Sequence, residues 1–250
     1  MLTNGGHPVS AKSTAMNQNP NTSKTGTGVY TCVVGTNADL IAAAARIYLK
    51  QGDHVLDTTF GKGCYWKHID LTQIYLVTND LEAPADFHFD FRQMDIADAT
   101  FNISVLDPPY LHDGKTVMVR HQYNNHIHTG SLNHEGIIRM YEAGVRECCR
   151  VTKPEGYIWI KCQDEIQSGQ QNWSLQQIEL VGNKLGLHKE DVFVLYNGSP
   201  HIQHHPQLHA RRNHSYLIIF KKSNKRNKAE QFTDTLILEA AAEIQRRATA

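Results

Sequence analysis

Apolar and polar residues follow two rhythms along this chain. Runs that are apolar at nearly every position occur at HVLDTT (54–59), QIYLVTND (73–80), ISVLDPP (103–109), YIWIKCQD (157–164), VFVLYN (192–197) and SYLIIFKK (215–222). Most are rich in β-branched or aromatic residues, the composition of strands. A weaker run, FDFRQMD (89–95), brings the predicted strands to about seven. Between them lie segments of helical period. NADLIAAAARIYLKQG has Thr36 or Asn37 to cap it and Gly52 to end it, and GIIRMYEAGVRECCRVT (136–152) and SLQQIELVGNKLG (174–186) follow. Strands apolar throughout and separated by helices predict an α/β fold: a seven-stranded, mostly parallel sheet with helices on both faces.

The ends of the chain break this pattern. Residues 1–28 are rich in Asn, Ser, Thr, Gly and Pro and have little to bury, which predicts a disordered N-terminal arm. Residues 29–222 then form the domain. Residues 223–250 form a basic linker, continuing the run KKSNKRNK, and a C-terminal helix. In that helix Phe232, Leu236, Ala240 and Ile244 share a stripe, and Arg246 and Arg247 suit the negative end of the dipole.

Composition excludes more than it identifies. Lys and Arg number 25 against 25 Asp and Glu, so global charge does not point to nucleic acid, although local charge still can. Five scattered cysteines form no framework and suit a reducing cytosol. No apolar run reaches the roughly 18–20 residues of a membrane span, and the first residues lack the order of a signal peptide. The expectation is a cytoplasmic protein with no membrane partner.

Candidate chemistry collects where strands end. In VLDTTFGKGCYWK, Asp57 closes a strand and Gly61 and Gly63 follow; Asp80 closes the next strand. In open α/β sheets ligands bind beyond the carboxyl ends of strands, and an acid about 20 residues after a glycine turn is placed to hold ribose hydroxyls. The third glycine of a dinucleotide fingerprint is replaced by Trp66, and GKGCY lacks the ending of a phosphate loop. A nucleoside fits better than a polyphosphate. In VLDPPYLHDGK, Pro108 and Pro109 cannot continue a ladder, because neither has an N–H and both fix φ. They either simply stop the strand or also hold Asp107 and Tyr110 rigidly at the lip of a site.

The combination of DxxxGxG at Asp57–Gly63, acids at Asp80 and Asp95, and DPPY at Asp107–Tyr110 resembles class I S-adenosylmethionine-dependent methyltransferases. It resembles more narrowly the amino-methylating DNA methyltransferases. KCQDEIQSGQQNW and LHARRNHSYLIIF are similar to segments of small site-specific phage and bacterial enzymes that act on adenine N6. The resemblance covers about residues 30–222 and implies a Rossmann-like class I methyltransferase fold with S-adenosylmethionine as cofactor and no metal. Thr36 and Asn37 match the segment that holds the methionine end. Asp57, Gly61 and Gly63 border methionine and ribose, Asp80 binds the ribose hydroxyls, and Asp95 lies near the cofactor adenine. Asp107 and the Pro108 carbonyl, held by Pro109, accept hydrogen bonds from the target amine, and Tyr110 stacks on the base. The family turn often reads DPFxGxG, whereas this one reads DTTFGKG.

The chemistry is consistent with that assignment. An exocyclic amine shares its lone pair with the ring, so fixed acceptors that pyramidalise the nitrogen and stabilise its developing charge promote attack on a sulfonium methyl. A paired base cannot be reached, so duplex DNA must present it flipped.

Further contacts fall on polar segments. Lys115, Arg120, His121, Tyr123 and Asn124 lie in a long loop after Tyr110 that either closes over the base or is merely solvated. His201, His204, His205 and His209 have no zinc spacing, and Arg211, Arg212 and Asn213 read as a phosphate-facing loop. Lys161, Gln163 and Asp164 end the fifth strand, where they orient the base or brace Asp107. Trp173 reads as core or helix packing. The leading expectation is methyl transfer to adenine N6 of DNA. Cytosine N4 of DNA, guanine N2 of RNA and a non-catalytic nucleic-acid-binding module are the alternatives. Specificity lies in short loops, in a partner subunit or homodimer, or is low.

Overall fold

The computed structural model describes residues 28–109, 133–167, 169–196, 198, 208–210 and 212–223. In chain order the elements are β1 (Cys32–Val34), α1 (Asn37–Tyr48), β2 (His54–Asp57), β3 (Tyr75–Thr78), β4 (Phe101–Leu106), α2 (His134–Val151), β5 (Thr152–Cys162), β6 (Glu165–Gln167), β7 (Gln170–Asn172), α3 (Ser174–Lys184), β8 (His188–Tyr196) and β9 (His214–Lys221). Seven strands form one sheet in the order β1-β8-β9-β5-β4-β2-β3. Only β9 runs against its neighbours; the other pairings are parallel. The mostly parallel sheet expected from the apolar runs is therefore present.

Its seventh strand is not the expected one. FDFRQMD does not join the ladder, and β1 supplies the edge instead, beside β8. The reason lies in two side chains. Asn79 clasps the backbone of Phe89 from both sides, accepting its N–H at 2.8 Å and donating to its carbonyl at 3.0 Å. Asp90 then accepts the Arg92 amide at 2.9 Å, closing an Asx turn that no strand can follow. A further element, the two-stranded β6–β7 ribbon, corresponds to no apolar run.

Period-two alternation distributes the strands' side chains to two faces. Val55, Ile103, Val105, Trp159, Phe193, Leu195, Leu217 and Ile219 pack with Leu40, Ile41 and Ala44 of α1. On the opposite face Leu106, Ile158, Ile160, Ile218 and Phe220 pack with Ile137, Met140, Tyr141 and Val145 of α2 and with Ile178 and Val181 of α3. Helices thus cover both faces, as expected. Caps set where they begin. Thr36 accepts the Asp39 amide while Asp39 accepts that of Thr36, a capping box at α1. Asn133 does the same job at α2 by accepting the Gly136 amide at 2.9 Å.

Because β2, β4 and β5 are parallel, their carboxyl ends meet at one edge, and the amino end of antiparallel β9 joins them there. No helix of the described residues is long and apolar enough to cross a membrane. The arm (1–27) and the linker and C-terminal helix beyond Ser223 lie outside the described residues.

Gly182 on α3 marks the tightest helix–sheet approach: a Cβ built there would stand 2.5 Å from the buried ring of Phe220. Alanine normally favours a helix by about 1 kcal/mol over glycine. Overpacking costs about 1–3 kcal/mol and outweighs that gain. Gly182→Ala is expected to lower the midpoint of urea unfolding by a net loss of up to about 2 kcal/mol. An unchanged or raised midpoint would show that the helix can back away.

Candidate active site

The strand end at Asp57 turns sharply, and hydrogen bonds stitch that turn to both neighbouring strands. Toward β4, the Thr58 amide and hydroxyl both donate to the Val105 carbonyl, at 2.9 and 2.7 Å. Thr59 Oγ1 accepts the Asp107 amide at 2.8 Å. Toward β3, the Phe60 amide donates to the Asn79 carbonyl at 3.0 Å, and the Gly61 amide donates to Asp80 Oδ2 at 2.8 Å. Gly61 and Gly63 have φ of 55° and 65°, left-handed values that favour glycine. A Cβ on Gly63 would also stand 2.7 Å from the Phe60 ring, whereas at Gly61 only the Thr59 carbonyl comes within 4.0 Å. The backbone at Gly61 is consequently open to close approach by a ligand.

Three acids converge on this turn. Asp57 is buried, accepting from Trp66 Nε1 at 2.8 Å and from the Thr59 amide at 3.1 Å. Burial pushes its carboxyl up to about 7 despite those donors, and the charges of Asp107 and Asp80 push the same way. Asp80 accepts backbone amides from Gly61 on Oδ2 and from Glu82 and Ala83 on Oδ1, which orients both oxygens and still leaves one lone pair, on Oδ2, for a hydroxyl. Asp107 is partly exposed as a residue, yet its Oδ1 is out of solvent and without a hydrogen-bond partner. Burial raises its pKa, opposed by the Lys161 charge and by the Tyr65 hydroxyl. Lys161 is 1% exposed, one residue beyond Ile160, the β5 partner of Leu106. Burial lowers its pKa, and Asp107 opposes that shift.

Asp57, Gly61, Gly63, Asp80, Asp107 and Lys161 are therefore brought together, with Pro108 and Pro109 ending β4 beside them. Thr36 spends its side chain on Asp39, whereas Asn37 Oδ1 is buried without a hydrogen-bond partner, the kind of atom a ligand satisfies. Asp95 is exposed, in a segment held to α2 by Glu147 accepting the Met94 amide and Arg150 donating to the Ile96 carbonyl. Among the described residues no contact ties it to the other acids. Tyr110, Lys115, Arg120, His121, Tyr123, Asn124, His201, His204, His205 and Arg211 lie outside the described residues. Arg212 is described, and its guanidinium lies 5.2 Å over the ring of Trp173. Trp173 is 50% exposed, so of the two expected roles, core or helix packing, it is not a core residue; it stands at the start of α3, where its carbonyl accepts the Gln177 amide at 3.1 Å. Asp164, read as a rim residue, accepts the Leu175 amide at 3.0 Å and so caps α3. Thr59, Tyr65, Trp66 and Asn79 were not foreseen; only the hydroxyls and amide next to Asp57 and Asp80 hinted at them.

A family profile described as DNA methylase matches residues 101–248. No curated protein matches the chain. Among solved structures it is similar to a SAM-dependent methyltransferase from Methanosarcina mazei, at 10% identity over 71% of this chain and 96% of that one, with a TM-score of 0.45. TrmN from Thermus thermophilus is 13% identical over 74% of this chain and 48% of its own, with a TM-score of 0.48. A candidate DNA modification methylase from Thermus thermophilus, complexed with S-adenosyl-L-methionine, is 18% identical over 56% of this chain and 55% of its own, with a TM-score of 0.39. The chain thus spans about half the length of the last two.

The raised pKa of Asp57 has a consequence for ligand-free stability. Its folded value of about 7 exceeds the ordinary 3.8. The native state therefore holds that proton more tightly, and the stability it contributes is present below about pH 4 and is lost as pH rises to about 7. Asn at this position mimics the uncharged form but offers one acceptor to two donors, a cost independent of pH. Asp57→Asn is expected to gain on the natural chain in melting temperature between about pH 5 and pH 8. A constant gap would show that Asp57 titrates normally.

Proposed function

Because this chain belongs to the DNA methylase family, we propose that it transfers a methyl group from S-adenosylmethionine to the exocyclic amine of a DNA base flipped from the duplex, adenine N6 being the target. The observation that carries the reading is Asp107. Its carboxylate stands at the end of a buried strand with one oxygen shielded from water and unpartnered, beside a turn built for a nucleoside. An acceptor so placed is ready for an amine that brings its own N–H groups.

The cofactor fits the residues present. Asp80 has a lone pair for a ribose hydroxyl, Gly61 leaves its backbone open, and Asn37 Oδ1 lacks a partner. Asp57 offers negative charge near the methionine end once it ionises. S-adenosylmethionine supplies an electrophilic methyl on a sulfonium when bound. Asp107 and the Pro108 carbonyl accept the two N–H groups of the target amine, turning its lone pair out of conjugation toward the methyl. As the N–C bond would form and the S–CH3 bond break, leaving a neutral thioether, positive charge would grow on nitrogen, and the same acceptors would stabilise it until the surplus N–H proton is lost to solvent. Pro108 and Pro109 hold them at fixed backbone angles, so little reorganisation is needed. Lys161 favours the ionised form of Asp107, the form that accepts. Tyr110 is assigned to stacking on the flipped base, and its place as the fourth residue of DPPY favours adenine by resemblance.

Labelled S-adenosylmethionine is expected to donate its methyl to duplex DNA. Asp107→Ala should lower turnover by at least about 10²–10³-fold while circular dichroism and cofactor affinity stay close to those of the natural chain. Calorimetry that detects no S-adenosylmethionine binding to the pure protein would sink the reading. Mass spectrometry of nucleosides from product DNA identifies the base, N4-methylcytosine in place of N6-methyladenine overturning the choice of adenine alone.

A further inference from the structure

The β6–β7 ribbon leaves the sheet three residues after Cys162, at the edge where β4 delivers Asp107. Its register pairs Glu165 with Asn172, Ile166 with Gln171 and Gln167 with Gln170, so successive residues alternate between two faces. Its one acid is turned inward: Glu165 meets Nδ1 of His134 at 2.9 Å, and the same imidazole meets Gln177 at 2.6 Å. The acid before it is also engaged inside, Asp164 accepting from the Leu175 amide and the Tyr216 hydroxyl. Both are buried.

Among the described residues, what the ribbon keeps outward has no negative charge. Gln170 is exposed, Ile166 is 39% exposed, and Trp173 stands at the foot of the ribbon. The segment before β9 backs them. His209 Nε2 contacts the Gly169 carbonyl at 2.7 Å, and Arg212 donates to Gln171 Oε1 while lying over Trp173. In a chain with balanced charge, an acid-free rim bearing a guanidinium fits a polyanion. A two-stranded ribbon also has the width to enter the major groove of B-form DNA, where carboxamides can pair with base edges.

We propose that the tip of the β6–β7 ribbon enters the major groove beside the target base pair, Gln170 and Gln171 reading base edges from opposite faces of the ribbon and Arg212 lying against the phosphates. This rests on the DNA methylase reading and assigns sequence choice to a short element of the same sheet edge. Arg212 occupies the Gln171 carbonyl oxygen, so the Gln171 amide is left to donate. The exposed Gln170 can both donate and accept. With its root fixed by Glu165 and its flank by Arg212, the ribbon loses little entropy in becoming ordered on binding.

The experiment compares the natural chain with Q170A/Q171A and with Arg212→Ala on a pool of duplexes with randomised bases, with S-adenosylmethionine affinity measured alongside. The double variant should keep its cofactor affinity and lose on the order of tenfold discrimination at one or two base pairs. Arg212→Ala should weaken binding to all duplexes alike and reduce the salt slope by about one. Unchanged base preference in the double variant overturns the proposal. So does a change in oligomeric state by light scattering, since the ribbon would then be meeting a second copy. Fluorescence anisotropy with a labelled duplex separates the two levels. Binding weakened by the variants, in a natural chain that transfers no methyl, sinks the enzymatic reading and keeps the ribbon. Transfer with unaltered preference sinks the ribbon alone.

Discussion

Thr59 sets the spacing on which the rest of the site depends. Its amide donates to Asp57 and its hydroxyl accepts from the amide of Asp107, so one residue joins the ends of two parallel strands. The connection works because the register already places Leu56 beside Ser104 and Asp57 beside Val105. A one-residue slip would send every side chain of β2 to the other face. The buried alternation of Val55 and Leu56 on opposite faces forbids that slip. Packing thus fixes register, register fixes the turn, and the turn fixes the carboxylates.

Those carboxylates are costly to bury. A folded value of about 7 for Asp57 means that ionising it costs roughly 4 kcal/mol more than in water. Trp66 and Thr59 recover part of the cost of burying it, and no described cation sits against it. Asp107 is treated differently, with Lys161 as counter-charge. The two acids, both at strand ends, therefore suit different work. Asp57, with no described cation against it, suits a positive group that arrives with a ligand, whereas at Asp107 the Lys161 charge opposes the rise that burial imposes. Such a division matches a reaction in which a sulfonium donor must bind on one side and an amine must be polarised on the other.

The sheet was legible because its strands are buried on both faces, and an unbroken apolar run such as YIWIKC can scarcely be anything but a central strand. Asp57, Gly61, Gly63, Asp80 and Asp107 were legible for a related reason: each sits at or just past the end of such a run, where open α/β sheets place ligands. FDFRQMD misled because Phe91 is buried against α2 without strand pairing, in a segment whose backbone is held by a side-chain clasp, and the Asn79 that does it looks ordinary in LVTND. Asp95 lies in the same irregular segment, which Glu147 and Arg150 on α2 hold in place. The ribbon was hidden because EIQSGQQN carries one apolar residue, too few for a period, and its bracing comes from His134 and Arg212, distant in sequence. For Trp173 only the core half of the reading fails: it stands exposed at the start of α3 and forms one side of a cation–π pair.

The balanced net charge, which by itself points to no nucleic-acid partner, becomes informative once charges are located. Asp57, Asp80 and Asp107 lie inside the strand-end crevice, and Asp164 and Glu165 point into the body of the domain. Each of these described acids has a structural partner or a buried position. Glu165 shows how closely the two requirements are joined. By turning in to meet His134 it anchors the ribbon, and by the same turn it clears negative charge from the surface that would have to approach phosphate. A neutral protein can in this way gather its acids at the strand ends and keep the described residues of the neighbouring ribbon free of outward negative charge within one domain.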